Sequence, residues 1–348
     1  MSKRSPSFVG LEIEPSAVHA ASVTVNGALS VKAAATAPLE SGVVRDGEVT
    51  DVEALSEVLR TLWAEHKELP KRVRIGIANQ KIVVRVIELP PIDDPKELEA
   101  AVRFRAQDEI PMPLDSAVLD FQALDVVDTP NGPRRRVVLV AARRDMVDRV
   151  LLSARNAGLR VEGLDLAAFG MVRALAGSDG AALDDTVLYL GIGGLTNLAV
   201  AQGRSCTFTR VVGGGIEALA VELAERRGMT LELARGWLSH VGLDTPLDEI
   251  DGDELLVEEA RTVLSDGVRR IAGEVRNTVD YHLSQGGEGG GVTRCVLTGA
   301  AAAVPGFAAA MGEGLGMPTT IGTVAGAPDA LGAQRFTVAA GLAVEDSA

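Results

Sequence analysis

The sequence predicts an α/β protein made of two halves that begin alike. Segments with strand and helix patterns alternate along the 348 residues, which is typical of the α/β class. Residues 9–23 and 187–201 each follow a strand, turn, strand pattern, and a late strand at 294–298 leads into a turn of small residues. A chain of this length suits two domains or one bilobed unit better than one small core.

The composition is that of a globular protein, and it restricts the kinds of partner that the protein can bind. The formal net charge is −14, from 34 basic and 48 acidic residues, which argues against nucleic-acid binding because phosphate backbones are bound by basic surfaces. Cys206 and Cys295 lack CxxC spacing and the four histidines lack paired spacing, so we expect no metal site. The N-terminus has no apolar signal-peptide core, and no run reaches the length of a membrane span. We therefore expect a cytoplasmic protein that does not insert into a membrane.

The first half begins with the hairpin at 9–23, whose turn is Glu14-Pro15-Ser16. A turn in this place often holds a phosphate, so it is a phosphate-binding turn, one that has lost this role, or a simple hairpin. A capping-box pattern that begins at Thr50 precedes a helix with its apolar residues on one face. Residues 72–90 alternate in polarity and are rich in Val and Ile, which predicts a strand pair.

The middle of the chain predicts two helices that flank a hairpin. The first helix covers 94–110 and ends before a Pro-Met-Pro segment, since proline cannot continue it. The hairpin spans 116–143, with an Asn-Gly pair at 131–132 as its turn signal. The second helix covers 145–156, and Gly158 is placed to end it.

The second half repeats the opening pattern and then becomes mainly helical. A glycine- and alanine-rich segment at 177–182 is predicted to link the halves. The strand, turn, strand pattern of 187–201 follows, then several helical patterns, and the chain closes with a helix of small residues. The predicted helices are 216–227, 230–241, 254–283 and 334–344.

Duplicated α/β halves, each opening with a hairpin, and a late strand, glycine turn and helix describe the actin-like nucleotide-binding architecture. In this arrangement the backbone N–H groups of two facing turns cradle the phosphates between the halves. Glycines in the turns permit the close approach, and the late turn lies against the adenosine.

Four stretches of the chain resemble the PilM family of type IV pilus assembly proteins. They are VRVIELP (84–90), ELEAAVRFRAQDEIPMPLDSAVLDFQAL (97–124), VVLVAARRDMVDRVLLSARNAGLRVEGLDLAAFGMVRAL (137–175) and EVRNTVDYHLSQ (274–285). The helix, Ile-Pro and hairpin in the middle are the specific part, because this small inserted subdomain separates the family and its division-protein relative FtsA from actin and the sugar kinases. The resemblance runs through nearly the whole chain in the family's order.

The resemblance implies an α/β, actin-like bilobed fold with duplicated ribonuclease H-like halves and a small inserted α+β subdomain. The insert is the part that relates the chain to PilM and FtsA. The predicted limits are 1–83 for the first part of the first lobe, 84–164 for the insert, 165–180 for a return helix and linker, 181–332 for the second lobe and 333–348 for a C-terminal helix that returns to the first lobe.

The resemblance also implies a cytoplasmic scaffold at the inner face of the cell membrane, in the platform that assembles type IV pili. Members are similar in binding the short cytoplasmic N-terminal tail of a bitopic partner, PilN, in a groove between the first lobe and the insert. Other platform proteins or the assembly ATPase are further partners that it suggests. Strands near 82–87 either present an edge or apolar surface to such a peptide or are core strands.

Many members bind ATP, and the first phosphate turn departs from their pattern. The family tends toward D-x-G-S-x-x-x-K, and Glu12 keeps the acid, whereas Glu14, Pro15 and His19 stand at the glycine, serine and lysine places. Two like charges about 4 Å apart repel by roughly 4 kcal/mol at an effective dielectric constant near 20. A Glu14 side chain that faced a phosphate would therefore oppose its binding.

The second turn keeps the spacing of the family pattern D-x-G-x-G-T but has Gly191 in place of the acid. That acid orients magnesium and water, so its loss bears on hydrolysis more than on binding. Gly193, Gly194 and Thr196 either approach a phosphate or form a tight turn that packs one strand on another. Glycines 213–215 either line the cleft or form the turn that enters the next helix.

The adenosine side of the predicted cleft is altered as well. After Gly299, alanines replace two glycines of the family pattern, and each adds a methyl group where a purine would approach. The E-x-x-K pair for the ribose is replaced by residues 235–238, Arg-Gly-Trp-Leu. The candidate cleft residues are Glu12, Ser16, Gly193, Gly194, Thr196, Gly213, Gly214 and Gly299.

Because four elements are altered in the same direction, we expect weak binding of ATP with magnesium or none, and hence a pseudo-ATPase scaffold without catalytic or metal-binding residues. An active actin-like ATPase whose nucleotide state controls partner binding is the alternative, and Glu12 is its only good carboxylate candidate. A small-molecule kinase would need the same parts. An FtsA-like filament former would carry a C-terminal amphipathic membrane helix, whereas residues 344–348 are short and acidic.

Overall fold

The computed structural model describes residues 8–176, 185–284 and 291–344. Two five-stranded sheets form the centres of the two halves, and a three-stranded sheet forms a separate inserted layer. The predicted link at 177–182 lies outside the described residues, as does nearly all of the acidic tail. Among the helices that the structure describes, none combines the length and the apolar character needed to cross a bilayer.

The chain before the insert forms six strands and one helix in the described residues. They are β1 Val9–Ile13, β2 Ala17–Asn26, β3 Ala28–Pro38, β4 Val44–Arg45, β5 Glu48–Val49, α1 Val52–Glu65 and β6 Arg72–Ile77. The N-cap of α1 is Asp51, which accepts the N–H of Ala54 at 2.9 Å. The capping box predicted at Thr50 is therefore wrong by one residue, because Thr50 uses its hydroxyl to bind the Val43 carbonyl at 3.0 Å and close the preceding turn.

The insert consists of a sheet in the order β7-β9-β8 with one helix on its face. Its elements are β7 Val83–Leu89, α2 Pro95–Glu109, β8 Ala117–Thr129 and β9 Gly132–Arg143. Asp94 is the N-cap of α2 and accepts two backbone N–H groups of the first turn. The helix packs on the sheet through Leu98, Val102 and Ala106. The two strands predicted at 72–90 are present as β6 and β7, but they do not pair and belong to different sheets. Alternating polarity identifies a strand without specifying its partner.

The chain returns from the insert to the first half through α3 Arg144–Asn156, β10 Arg160–Leu166 and α4 Ala167–Leu175. Strand β10 pairs in parallel with β6, and α3 buries Val150 and Ala154 in the core that also holds α1. The sequence placed residues up to 164 in the insert. The hydrogen bonds of β10 instead join residues 160–164 to the sheet of the first half.

The first sheet has the order β10-β6-β1-β2-β3. Strand β1 lies at its centre, antiparallel to β2 and parallel to β6. Its residues 9–12 are buried, as expected of a central strand that is covered on both faces. Leu55, Leu59 and Leu62 of α1 cover one face of this sheet.

The second half contains a sheet followed by a group of helices. Its strands and α-helices are β11 Thr186–Ile192, β12 Thr196–Gln202, β13 Ser205–Val212, α5 Ile216–Arg227, α6 Leu231–Val241, α7 Glu254–Ser284, β14 Arg294–Thr298, α8 Phe307–Leu315, β15 Thr319–Ile321 and α9 Thr337–Leu342. The predicted helices at 216–227, 230–241 and 254–283 are present as α5, α6 and α7, with ends that agree to within one residue. The predicted helix at 334–344 is shorter, because its start forms a separate 3-10 turn at Ala333–Phe336.

The second sheet repeats the topology of the first. Its order is β13-β12-β11-β14-β15, and β11 lies antiparallel to β12 and parallel to β14. Strand β11 corresponds to β1, and every other strand of the second sheet has a counterpart at the same position and with the same direction in the first sheet. The similar openings of the two halves therefore reflect a duplicated topology.

Helices α4 and α9 lie between the two sheets and join the halves. Their side chains share one buried core with residues of β2 and of the second sheet. Glycines allow the backbones to approach closely, since a Cβ on Gly10 would lie 1.8 Å from the Ala339 carbonyl oxygen and one on Gly341 would lie 1.7 Å from that of Gly170. This central layer fixes the position of the two opening hairpins relative to each other.

Candidate functional site

The two predicted phosphate turns face each other across the boundary between the halves and touch. The N–H of Gly194 donates a hydrogen bond to Oε1 of Glu14 at 3.1 Å. A Cβ on Gly193 would lie 1.9 Å from the same oxygen, and one on Gly194 would lie 2.4 Å from Cδ of Pro15. The glycines do permit close approach, but the group that approaches them is the opposite hairpin turn.

The other oxygen of Glu14 faces His19. Their nearest atoms, Oε2 and Nε2, are 3.5 Å apart, and the His19 ring is buried. The Thr36 hydroxyl donates to the Val18 carbonyl at 3.0 Å, so it accepts a hydrogen bond from Nδ1 of His19, also at 3.0 Å. Since Nδ1 is engaged in this way, Nε2 is the ring atom directed at Glu14.

Glu14 favours the ionised form although its side chain is only 15% exposed. Burial raises the pKa of its carboxyl group, but the proximity of His19, the N–H of Gly194 and the charge of Arg335 together outweigh burial and hold the pKa below its usual value. The space between the turns therefore already contains an anion, and this anion belongs to the protein.

Glu12, at the place of the family's acid, has its pKa shifted in the opposite direction. Burial raises its pKa well above the usual range, and the neighbouring charge of Glu14 raises it further. Both effects favour the protonated form. Because hard cations bind carboxylate anions, a Glu12 that keeps its proton is a poor ligand for Mg²⁺.

The cavity between the turns is very small. It is lined by Glu12, Glu14, Asn197, Gly299 and Arg335, among others, and its volume is about 10 Å³. This is close to the space of a single water molecule, whereas pockets for drug-sized ligands occupy roughly 300–1,000 Å³. Oδ1 of Asn197 is buried there without a hydrogen-bond partner in the described part of the chain.

The late turn packs against the end of β11. Gly299 has φ +85°, and a Cβ on it would lie 2.8 Å from the carbonyl oxygen of Ile192. Thr298 donates its hydroxyl to that of Thr337 at 2.7 Å, and the N–H of Gly299 binds the Gln334 carbonyl at 3.3 Å. These contacts tie the turn to the C-terminal segment.

The remaining predicted residues do not converge on the cavity. Thr196 donates its hydroxyl to the carbonyl of Gly214 at 2.8 Å. Gly213 approaches Gln80, because a Cβ there would lie 2.4 Å from Nε2 of that side chain. Ser16 accepts the N–H of Leu39 with its carbonyl oxygen at 2.9 Å and does not line the cavity.

Sequence reasoning missed Asn197, Gln334 and Arg335 among the polar residues at the cavity. Asn197 directly follows the second turn, and Gln334 and Arg335 are polar residues at the start of an otherwise small and apolar segment. This change of polarity was the signal available. At the expected ribose position, Arg235 forms an ion pair with Glu217, with Nε and Oε2 3.0 Å apart.

A second candidate site is an open groove where the insert meets α3. It has a volume of about 540 Å³, and the structure shows which side chains line it. They are Met112, Pro113, Ser116, Arg143, Arg144, Asp145 and Asp148. Arg144 donates to the carbonyl of Ala117 at 2.8 Å, which holds this side of the groove against β8.

Strand β7, which covers most of the predicted edge at 82–87, is an edge strand of the inserted sheet and has two different faces. Val83 and Ile87 are buried in the core under α2, while Val86 is 45% exposed. The segment thus has one core face and one partly exposed face, and its binding of a peptide stays a prediction. Within the described ranges, no group of three His, Cys, Asp or Glu side chains is arranged to hold a metal ion.

Comparisons with known proteins agree on family and fold. The sequence model of the family described as type IV pilus assembly protein PilM matches residues 10–327. A solved structure described as a PilM-PilN type IV pilus biogenesis complex is similar with 25% identity and a TM-score of 0.80, over 97% of this chain and 98% of that one.

Two more distant structures are similar in fold alone. The ethanolamine utilization protein EutJ from Carboxydothermus hydrogenoformans has 16% identity and a TM-score of 0.55, over 97% of this chain and 89% of its own. MreB5 of Spiroplasma citri bound to ADP has 13% identity and a TM-score of 0.53, over 97% and 95%. The predicted actin-like fold class is confirmed.

Proposed function

Because the chain belongs to the PilM family of type IV pilus assembly proteins, we propose that it is a scaffold of the pilus assembly platform and binds the cytoplasmic N-terminal tail of a PilN-like membrane protein. The observation that carries the proposal is the similarity to a PilM-PilN complex along 97% of the chain. Through this partner the protein would lie at the inner face of the cell membrane. Other platform proteins or the assembly ATPase would be further partners.

The groove between the insert and α3 is the proposed site for the tail. Met112 and Pro113 contribute apolar surface to the groove, and Arg143, Asp145 and Asp148 contribute charge. Apolar contacts with one side of an extended peptide and charged contacts with the other would supply affinity and register. The groove is open, so a peptide can enter it without separating the halves.

The proposal is tested with a synthetic peptide of the N-terminal tail encoded by a neighbouring PilN-like gene, titrated by calorimetry. Asp148→Arg is expected to weaken binding by at least about tenfold, the loss of roughly 1.4 kcal/mol that misplacing one charge at an interface produces. Asp280→Arg, on the exposed side of α7, is the matched control and should bind as the wild type does. Absence of binding by the wild type would contradict the function, whereas unchanged binding by Asp148→Arg would contradict only the site.

We further propose that the protein performs this role as a pseudo-ATPase. The closed cavity, the ionised Glu14 inside it, the protonated Glu12 and Gly191 in place of the magnesium-orienting acid all support this. Calorimetry with ATP and magnesium is expected to give no heat of binding. A micromolar Kd would overturn the pseudo-ATPase proposal and leave the tail-binding proposal intact.

A further inference from the structure

We propose that Glu14 is an internal ligand of the cleft, a carboxylate that takes the place of a nucleotide phosphate and holds the two halves of the protein together. The proposal goes beyond the scaffold function, since it concerns how the halves stay closed and does not depend on any partner.

The first support is the position of the carboxylate. Glu14 belongs to the hairpin turn of the first half, and its Oε1 accepts the N–H of Gly194 from the turn of the second half, 180 residues later in the chain. Exposed N–H groups in glycine turns form concavities that bind anions. Here the anion is covalently part of the opposite half, so occupying the site also joins the halves.

The second support is the set of groups around the carboxylate. His19 lies 3.5 Å from Oε2, and its orientation is set by the hydrogen bond between Nδ1 and Thr36. Arg335, from the C-terminal segment, adds a favourable charge interaction. A backbone donor of the second half, a buried histidine of the first half and a charge from the C-terminal segment therefore surround one side chain.

The third support is the rigidity of the turn that presents Glu14. Its N–H donates to the Ala17 carbonyl at 2.9 Å, and the next residue, Pro15, has a ring-restricted φ and rests on Gly194. A Cβ on Gly194 would lie 2.4 Å from Cδ of this proline. Because the turn is already ordered, forming the contact costs little conformational entropy.

Hydrogen exchange on the free protein tests the proposal, compared among wild type, Glu14→Gln and Glu14→Ala. Exchange of the amides at 193–196 should be at least about tenfold faster in Glu14→Ala, as expected for loss of a hydrogen bond to a charged group. Glu14→Gln keeps the size and one acceptor oxygen but loses the charge, so its rate should lie between the other two. This variant also keeps the test decisive if Glu14→Ala does not fold.

Two controls separate the contact from general unfolding. Glu40→Ala, on an exposed loop, should leave exchange at 193–196 unchanged, and exchange within α2 should be the same in every variant. Equal rates at 193–196 in wild type and both Glu14 variants would overturn the internal-ligand proposal. Because the experiment contains neither tail peptide nor nucleotide, that result would leave the tail-binding proposal untouched.

Discussion

Glu12 and Glu14 are two residues apart in one hairpin, yet the fold shifts their pKa values in opposite directions. Glu14 lies among a histidine, a backbone N–H and an arginine, which hold its pKa down. Glu12 is buried beside that negative charge, and its pKa is raised. Two acidic positions of one hairpin therefore differ in the direction of their pKa shift.

At the residue scale, we predict that Glu12→Gln stabilises the protein at alkaline pH. Because the folded-state pKa of Glu12 is raised, its favourable contribution is complete below the unfolded-state pKa and is lost as pH rises toward the folded-state pKa. Glutamine stays neutral and avoids this loss. The variant should have a higher Tm than wild type at pH 8 and a similar Tm at pH 4, measured by calorimetry. Glu40→Gln is the exposed control, and a lower Tm for Glu12→Gln at pH 8 would contradict the prediction.

At the element scale, helix α2 shows how one helix serves two surfaces. Val102 is 1% exposed and packs on the inserted sheet, whereas Phe104, two residues later, is 72% exposed. Residues two apart on a helix do not share a face. The two apolar residues therefore differ in their contribution to stability.

We predict that Val102→Ala lowers the free energy of unfolding by about 1.5–3 kcal/mol, through lost burial and the cavity left behind. Phe104→Ala should change it by no more than about 0.5 kcal/mol, as is usual for an exposed position. Urea denaturation followed by circular dichroism measures both values. A larger loss for Phe104→Ala than for Val102→Ala would show that this face of α2 is covered in solution.

The docking of α9 on β1 gives a second prediction at this scale. Gly10→Ala places a methyl group 1.8 Å from the Ala339 carbonyl oxygen, and backbone cannot rotate away as a side chain can. We expect a loss of about 3 kcal/mol or more, at the upper end of overpacking effects. Gly273→Ala, where a Cβ meets nothing within 4 Å in α7, should instead stabilise by roughly 0.5–1 kcal/mol. A Tm for Gly10→Ala equal to that of wild type would contradict this packing.

Much of the element pattern follows from local sequence. The bounds of α5 and β14 are those predicted, and α5 ends at Gly228 in the left-handed conformation, φ +62°, which glycine adopts without strain. The sequence did not predict the partner of β7, because that partner is distant in the chain. It also did not predict the cap at Asp51, because Thr50 is engaged in the preceding turn. The domain limits stay a prediction, and the pairing of β10 with β6 and the packing of α3 in the core of the first half are observed differences from them.

At the scale of the whole molecule, two sheets of the same topology enclose α4 and α9, and the opening turns of the two sheets meet. This arrangement places the nucleotide turns of an actin-like fold in contact with each other. The inserted subdomain, in contrast, has an open groove against α3. The geometry thus separates a closed cleft from an accessible one.

We predict at this scale that ATP with magnesium leaves the Tm unchanged, while the tail peptide raises it. A ligand at a hundred times its Kd adds about 2.7 kcal/mol to the free energy of unfolding, so even a micromolar nucleotide would be visible at millimolar concentration. Differential scanning calorimetry of the full chain measures both effects. A rise in Tm with ATP would contradict the closed-cleft interpretation.

The sequence by itself determined the α/β class, the family and the substitutions at the two phosphate turns, because these are properties of local pattern and residue type. Only the tertiary structure decided what the substitutions do. Glu14 looked like a charge that would repel a phosphate, but the fold brings it to Gly194, 180 residues away, where it binds as the anion itself. Such a contact depends on how two distant turns are set against each other by α4 and α9, and no local pattern encodes that distance.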